Sequence, residues 1–135
     1  MVDGQWQALQ SRLAERLRAT LGTGYPPVGR RHEHVAPRIL AALHEIQAGG
    51  KLLLPMVPTW PMGDLSRSDV AALYRVLRTV YLAELVFGDA QRARQWLCAP
   101  KMRLQGRVPL LIATHVEHAH QLEQWLMEID EGCHS

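Results

Sequence analysis

Apolar residues in the first half of the chain recur every three or four positions, which is the spacing of one face of an α-helix. A first helix is predicted over about residues 5–21, and Gly22 is expected to end it. A second helix is predicted to open at Pro37, where the missing N–H costs nothing, and to close at residues 49–50. Residues 51–63 are rich in proline and are predicted to form an extended apolar connection. The apolar positions of the first helix are Trp6, Leu9, Leu13, Leu17 and Leu21.

The second half begins with a helix start that the side chains specify. Ser66 and Asp69 have the spacing of a capping box, in which each side chain accepts from the backbone N–H of the other residue. The helix is predicted to run to about Phe87, because Gly88 can adopt the left-handed conformation that ends a helix. Asp89 can then cap the next helix, since its carboxylate can accept from backbone N–H groups that lack a partner within the helix.

Two prolines define the loop that follows this capped helix. The helix is predicted to stop before Pro100, and Pro109 suits the first position of a new helical turn. Thr114 and Glu117 have capping-box spacing, so a last helix is predicted to start there and to end at Gly132. The predicted apolar stripe of this last helix comprises Val116, Ala119, Leu122, Leu126 and Ile129.

These signals predict an all-α fold, since no stretch shows the apolar–polar alternation of a β-strand. The architecture is a small helical bundle with two N-terminal helices, a proline-rich crossing segment and a C-terminal domain of three to four helices. Within the 135 residues, 1–65 form the N-terminal helical region with its connector, and 66–135 form the C-terminal domain.

Composition adds little about function. The formal net charge of +2 is too small to indicate nucleic-acid binding by itself, although residues 115–135 hold five acids and no Lys or Arg. No apolar run is long enough to span a bilayer and the start lacks the features of a secretory signal, so a cytoplasmic protein is expected. Cys98 and Cys133 are expected to be free thiols, with Cys98 packed in the core.

Candidate chemistry is sparse. His115 and His118 share a helix face and could bind a metal, but no cysteine motif or HExxH pattern accompanies them. There is no phosphate-binding glycine motif and no nucleophile elbow around a serine. The sequence therefore predicts that the chain is not an enzyme and that it uses no cofactor and no metal.

The ordered set of joints in the second half resembles a known family. Residues 66–132 resemble the C-terminal toxin-binding domain of the MbcA/ParS/Xre-type antitoxins, which neutralise RES-domain toxins. The chain departs from the family pattern at Lys101, where Asn is usual, and at Gln105, where Gly is usual. The matching residues are Val86-Phe87-Gly88-Asp89, Ala93-Arg94-x-Trp96-Leu97, Ala99-Pro100, Leu104-x-Gly106-x-x-Pro109, Leu111, Thr114 and Ile129-x-x-Gly132.

The resemblance implies a type II antitoxin whose partner is a cognate RES-domain toxin that degrades NAD or transfers ADP-ribose from it. Neutralisation would consist of covering the active-site cleft of the toxin so that NAD cannot enter. The chain would then be part of a homo-oligomer or of a toxin–antitoxin hetero-oligomer.

Two modes of toxin contact are open. In one, the acidic end of the last helix and the tail enter the NAD site, with Asp130, Glu131 and the terminal carboxylate standing where phosphate oxygens would lie. In the other, the loop and Trp125 cover the cleft sterically. The candidate toxin-binding residues are Lys101, Arg103, Arg107, Trp125, Asp130, Glu131, His134 and Ser135.

The alternative is a DNA-binding transcriptional regulator that uses its C-terminal domain for oligomerisation. Antitoxins of this type commonly carry an N-terminal helix-turn-helix and repress their own operon, but the two predicted N-terminal helices are separated by a loop much longer than that motif allows. Phosphate contacts to operator DNA would fall to Arg12, Arg16, Arg30 and Arg31.

Overall fold

The computed structural model describes residues 2–22, 32–50 and 66–132, and the regular elements among these residues are all helices, as predicted. The described residues contain no β-strand, only an isolated antiparallel pairing of Lys101 with Arg107. None of their helices is long and apolar enough to cross a membrane. The helices are α1 (Val2–Leu21), α2 (His32–Gly50), α3 (Arg67–Phe87), α4 (Ala90–Cys98), α5 (Pro109–Ile112) and α6 (Val116–Asp130), with a short 3-10 turn at Met102–Leu104 between α4 and α5.

α3 is the central element of the bundle, because α1, α2, α4, α5 and α6 all pack against it. Its side chains at Val76, Leu77 and Val80 are fully buried, and they belong to one continuous hydrophobic core that includes residues of both halves of the chain. The two N-terminal helices therefore share their core with the C-terminal helices. Burial of apolar surface on this scale is the main force that holds the bundle together.

The predicted stripe of α1 is buried at Leu9, Leu13, Leu17 and Leu21. α1 ends where Gly22 takes a φ of 66°. A Cβ on Gly22 would meet only the far end of the exposed Arg38 side chain of α2, which can move aside, so glycine serves chiefly the left-handed conformation.

The prediction that α2 opens at Pro37 is wrong. α2 begins at His32, and Pro37 lies inside the helix on its exposed side. A proline there removes one backbone hydrogen bond, but Val35 and Ile39 on either side are completely buried, and their packing extends the helix past the local signal. The predicted connection at residues 51–63 lies outside the described residues.

The predicted joints around α3 are confirmed. The Ser66 N–H donates to Asp69 Oδ2 at 3.0 Å and the Asp69 N–H donates to Ser66 Oγ at 3.1 Å, which completes the capping box. At the other end, Gly88 has a φ of 70° and its N–H donates to the carbonyl of Glu84. Asp89 then caps α4 by accepting from the backbone N–H of Gln91 at 3.1 Å.

The predicted capping box at Thr114 and Glu117 is wrong. α6 starts after His115, and no side chain caps it. The Thr114 carbonyl instead accepts from Nε and Nη2 of Arg75, at 3.0 and 2.6 Å, so a residue of α3 holds the turn before α6. Val116 is also wrongly placed in the predicted stripe, because it is 58% exposed. Near Val116 the surface between α3 and α6 is lined by Arg75, Arg78, Thr79, His120 and Glu123 together with Ala119.

Cys98, predicted to pack in the core, is exposed at the end of α4 and is a free thiol. The residues of α4 that are buried are Ala93, Trp96 and Leu97, so Cys98 lies past the buried face. Partial burial of the sulfur raises the pKa of the Cys98 thiol.

Candidate functional site

The stretch from residue 90 to residue 116 carries no acidic residue. It contains five Lys and Arg side chains, and three of them lie close together at Lys101, Arg103 and Arg107. This makes the loop between α4 and α5 the most basic segment of the C-terminal half. It carries three of the predicted toxin-binding residues, so its geometry is considered first.

Residues 101–107 form a compact turn, called the 101–107 turn below. The Lys101 N–H donates to the Arg107 carbonyl at 3.1 Å, and the N–H groups of Leu104 and Gly106 both donate to the Lys101 carbonyl. Gln105 and Gly106 adopt positive φ angles of 60° and 82°. A non-glycine residue in this region is uncommon, and Gln105 is held there because its N–H donates to the carbonyl of Met102 at 2.9 Å.

Two indole rings support this turn from below. Trp96 of α4 and Trp125 of α6 are both buried, and they pack edge to face with their ring centroids 4.9 Å apart. Lys101 Nζ lies 5.3 Å from the centroid of the Trp96 ring, and Arg103 Cζ lies 4.8 Å from the centroid of the Trp125 ring. Lys101 and Arg103 therefore make contacts within the domain itself.

Further contacts hold the same turn. Arg103 Nη2 lies 3.1 Å from Glu128 Oε2, and the side chain of Leu104 is buried in the core. Arg107 Nε donates to the Leu104 carbonyl at 2.9 Å. Burial lowers the pKa of Lys101 from its ordinary value, which agrees with its position against the Trp96 ring.

The structure places Trp125 in the core and not on the rim of a binding face. Its side chain is 3% exposed in the free chain, so little of the ring is open to a partner, and its predicted toxin contact stays a prediction. Trp125 lies three residues after Leu122 of the predicted stripe, which is helical spacing. Trp96 of α4 and Arg103 of the turn also pack against its ring. Among the described residues no hydrogen-bond partner reaches its Nε1 or that of Trp96.

The acidic character of the last helix is partly neutralised within the chain. Arg78 Nε of α3 lies 2.5 Å from Glu123 Oε1, while Arg103 pairs with Glu128. Burial disfavours the charged form of Arg78, but the hydrogen bond and the charge of Glu123 outweigh it and raise the Arg78 pKa. Two of the five acids of residues 115–135 therefore serve contacts between helices.

The remaining predicted residues at this end are differently placed. Asp130 is half-buried and already interacts with a neighbouring group. Glu131 is also half-buried, and its Oε1 has no hydrogen-bond partner among the residues that the structure covers. Gly132 has a φ of 102°, so the backbone turns away from the α6 axis there. His134 and Ser135 lie outside the described residues.

His118 of α6 contacts the 101–107 turn, and His115, which precedes α6, packs on His118. Arg107 Nη1 lies 3.4 Å from His118 Nε2, and His118 Nδ1 lies 3.3 Å from Gln121 Oε1. The ring of His115 packs edge to face on that of His118, with 5.9 Å between centroids. Over residues 2–22, 32–50 and 66–132, no three His, Cys, Asp or Glu side chains are grouped so that they could hold a metal ion.

Two of the predicted DNA-contacting arginines, Arg12 and Arg16, fall within the described residues, about one helical turn apart on α1. Arg12 is exposed on α1, while Arg16 forms an ion pair with Glu84 of α3 and lies 4.0 Å from the centroid of the Tyr81 ring. Arg16 therefore ties α1 to α3, together with the hydrogen bond of 3.0 Å between Thr20 and Tyr81. Arg30 and Arg31 lie outside the described residues.

Sequence reasoning missed Met102. This side chain is 95% exposed and stands between Lys101 and Arg103 at the tip of the 101–107 turn. Helical periodicity could not identify it, because the residue is in a loop. The usable signal was an apolar residue flanked by two cations in a segment bounded by Pro100 and Gly106.

The C-terminal part of the chain is similar in sequence to known proteins. Residues 82–132 match the family model of the antitoxin Xre/MbcA/ParS C-terminal toxin-binding domain. The chain is also similar to Antitoxin Xre of Pseudomonas putida, with 38% identity over 60 residues, which is 44% of this chain and 38% of that antitoxin. The chain thus spans well under half the length of this relative. No solved structure matches the chain.

The matched residues begin inside α3 and continue through the confirmed joint at Gly88 and Asp89, the 101–107 turn and α6. They include the residues on which the resemblance rested, from Val86 to Gly132. Over residues 82–132 the chain is therefore similar to the Xre/MbcA/ParS antitoxin C-terminal toxin-binding domains.

Proposed function

We propose that the chain is an antitoxin that binds a RES-domain toxin and keeps NAD out of its active site. The observation that carries the proposal is the match of residues 82–132 to a toxin-binding domain, over the part of the chain where the turn and α6 are rigidly joined. The chain itself performs no chemistry in this proposal. It acts by occupying the cleft into which NAD would bind.

The contact surface consists of the 101–107 turn and the C-terminal end of α6. Lys101, Arg103 and Arg107 give the turn a positive potential, which favours an acidic area on the toxin. Asp130 and Glu131 at the end of α6, with His134 and Ser135 of the tail, would face the groups of the toxin that donate hydrogen bonds to the phosphates of NAD. The turn would then provide most of the contact area and the tail would occupy the cleft.

In this proposal residues 66–135 carry the toxin contacts, and residues 1–65 support them or mediate self-association. The support is physical, because α1 and α2 bury a core in common with α3. Arg16 and Thr20 add polar contacts from α1 to Glu84 and Tyr81. Loss of the N-terminal helices would expose one side of α3 to water.

The test is an assay of NAD consumption by a purified RES-domain toxin. Adding the full chain is expected to stop NAD consumption at a stoichiometry set by the complex, and the two proteins should elute together in size-exclusion chromatography. A complex that still consumes NAD at the rate of the free toxin would contradict occlusion. Absence of any complex would contradict the choice of partner.

A further inference from the structure

The tip of the 101–107 turn presents one large apolar side chain to solvent. Met102 is 95% exposed, whereas its neighbour in the same turn, Leu104, is buried. An isolated exposed apolar residue needs no explanation by itself. Here the backbone around it is held by hydrogen bonds and side-chain contacts, and a cation precedes and follows it in the sequence.

The fixation comes from contacts on both sides of Met102. Lys101 lies over the Trp96 ring and pairs through its backbone with Arg107, while Arg103 lies over Trp125 and pairs with Glu128. The Met102 carbonyl accepts from the Gln105 N–H at 2.9 Å. Because so many groups brace the turn, holding Met102 in place on binding costs little backbone entropy.

We propose that Met102 is the anchor residue by which this chain docks, inserting into an apolar pocket with an acidic rim on the toxin. This inference rests on the proposed function and names the contact within it. An unbranched, polarizable side chain adapts to pockets of irregular shape, which is why methionine is frequent at binding surfaces. Residues fully buried at the centre of an interface dominate its binding energy.

The acidic rim follows from the charges around Met102. Five cations and no acid occur between residues 90 and 116; Lys101 and Arg103 flank the anchor in the sequence, and Arg107 pairs with Lys101 across the turn. A pocket rimmed by Asp and Glu would complement these charges, whereas a basic rim would repel them. A second copy of this chain fits less well, because the acids of α6 nearest the turn are already paired, as Glu128 is with Arg103.

The test measures binding of the purified RES-domain toxin to the full chain carrying Met102→Leu, Met102→Ser or Met102→Asp. Val116→Ser is the matched control, since Val116 is also an exposed apolar residue but lies outside the turn. Met102→Asp is expected to weaken binding by about 30-fold or more, Met102→Ser by about 10-fold, and Met102→Leu and Val116→Ser by less than about threefold. All four variants should unfold at the temperature of the unsubstituted chain, because both positions are exposed.

Three results would overturn the assignment of Met102. The first is binding of Met102→Asp within about threefold of the unsubstituted chain, and the second is an equal loss in Val116→Ser. The third is a dimer of the chain alone, seen by analytical ultracentrifugation, that Met102→Asp dissociates, because that would assign the turn to self-association. If the unsubstituted chain itself fails to bind the toxin, the proposed function fails together with the anchor.

Discussion

The guanidinium carbon of Arg103 lies 4.8 Å from the centroid of the buried Trp125 ring. The same side chain reaches Glu128 at 3.1 Å, so it joins the 101–107 turn to α6 through a face of an aromatic ring and a carboxylate at once. A residue that composition marks as a free surface cation is therefore a structural link. The turn and the last helix are held in one arrangement before any partner binds.

Replacing Arg103 by Ala is expected to lower the free energy of unfolding by about 0.5–1 kcal/mol, because an exposed cation–π contact and a surface ion pair are each weak. Toxin binding should fall by more than this loss of stability implies, since the turn is no longer held. Denaturant unfolding and a binding titration of the same protein measure the two effects. Arg92→Ala, which removes an exposed cation of α4, is the control.

Equal losses of binding in Arg103→Ala and Arg92→Ala would show that only net charge matters. In that case the contacts of Arg103 with Trp125 and Glu128 would have no role in presenting the turn. Arg103→Lys separates the remaining possibilities, because it keeps the charge but loses the planar guanidinium that lies on the ring.

The joint at Gly22 should be sensitive to any side chain. Gly22→Ala is expected to cost roughly the 1–2 kcal/mol of placing alanine in the left-handed region, because the atoms that the new Cβ would meet are the far end of the exposed Arg38 side chain, which can move aside. Gly88→Ala is the matched control, since Gly88 has nearly the same φ but nothing within 4 Å of the added Cβ. Both values come from denaturant unfolding. A Gly22→Ala variant clearly less stable than Gly88→Ala would show that the Arg38 guanidinium is held in place, and Arg38→Ala would then remove the difference.

Local signals were sufficient at the joints on either side of α3. Ser66 with Asp69, Gly88 and Asp89 all act as their positions predict, because capping and left-handed glycine are properties of the neighbouring backbone. The resemblance of the C-terminal half could be found from the sequence for the same reason. Its motif is a series of such joints at fixed spacing.

The failures arise from contacts between residues far apart in the chain. Thr114 has the same capping-box spacing as Ser66, but Arg75 from α3 binds its carbonyl and the helix starts elsewhere. Trp125 was assigned to the toxin-binding surface because helical periodicity takes no account of Trp96, which packs against it from another helix. The pairing of Arg78 with Glu123 likewise spans 45 positions, so the acidic helix could not be seen to be partly neutralised.

Cys98 gives a prediction about pH. Its pKa is raised in the folded chain, so between the ordinary and the raised pKa the unfolded chain has lost the thiol proton while the folded chain keeps it. Stability should therefore fall as pH rises through that window, and a Cys98→Ser variant should lack this part of the decline. Unfolding midpoints of the two proteins between neutral pH and pH about 10, both carrying Cys133→Ser, measure the difference. Parallel curves would show that the thiol environment is the same in both states.

The end of α6 decides between the two modes of neutralisation. Asp130 and Glu131 lie beside the helix terminus, and Gly132 turns the backbone away from the α6 axis. If the acids and the tail occupy the NAD site, a chain lacking residues 130–135 should still bind the toxin through the 101–107 turn, but NAD consumption should return. A charge-only variant, Asp130→Asn with Glu131→Gln, should restore part of that activity. Co-elution and an NAD assay measure binding and inhibition separately. Full inhibition by the truncated chain would show that the helices and the turn cover the cleft without the tail.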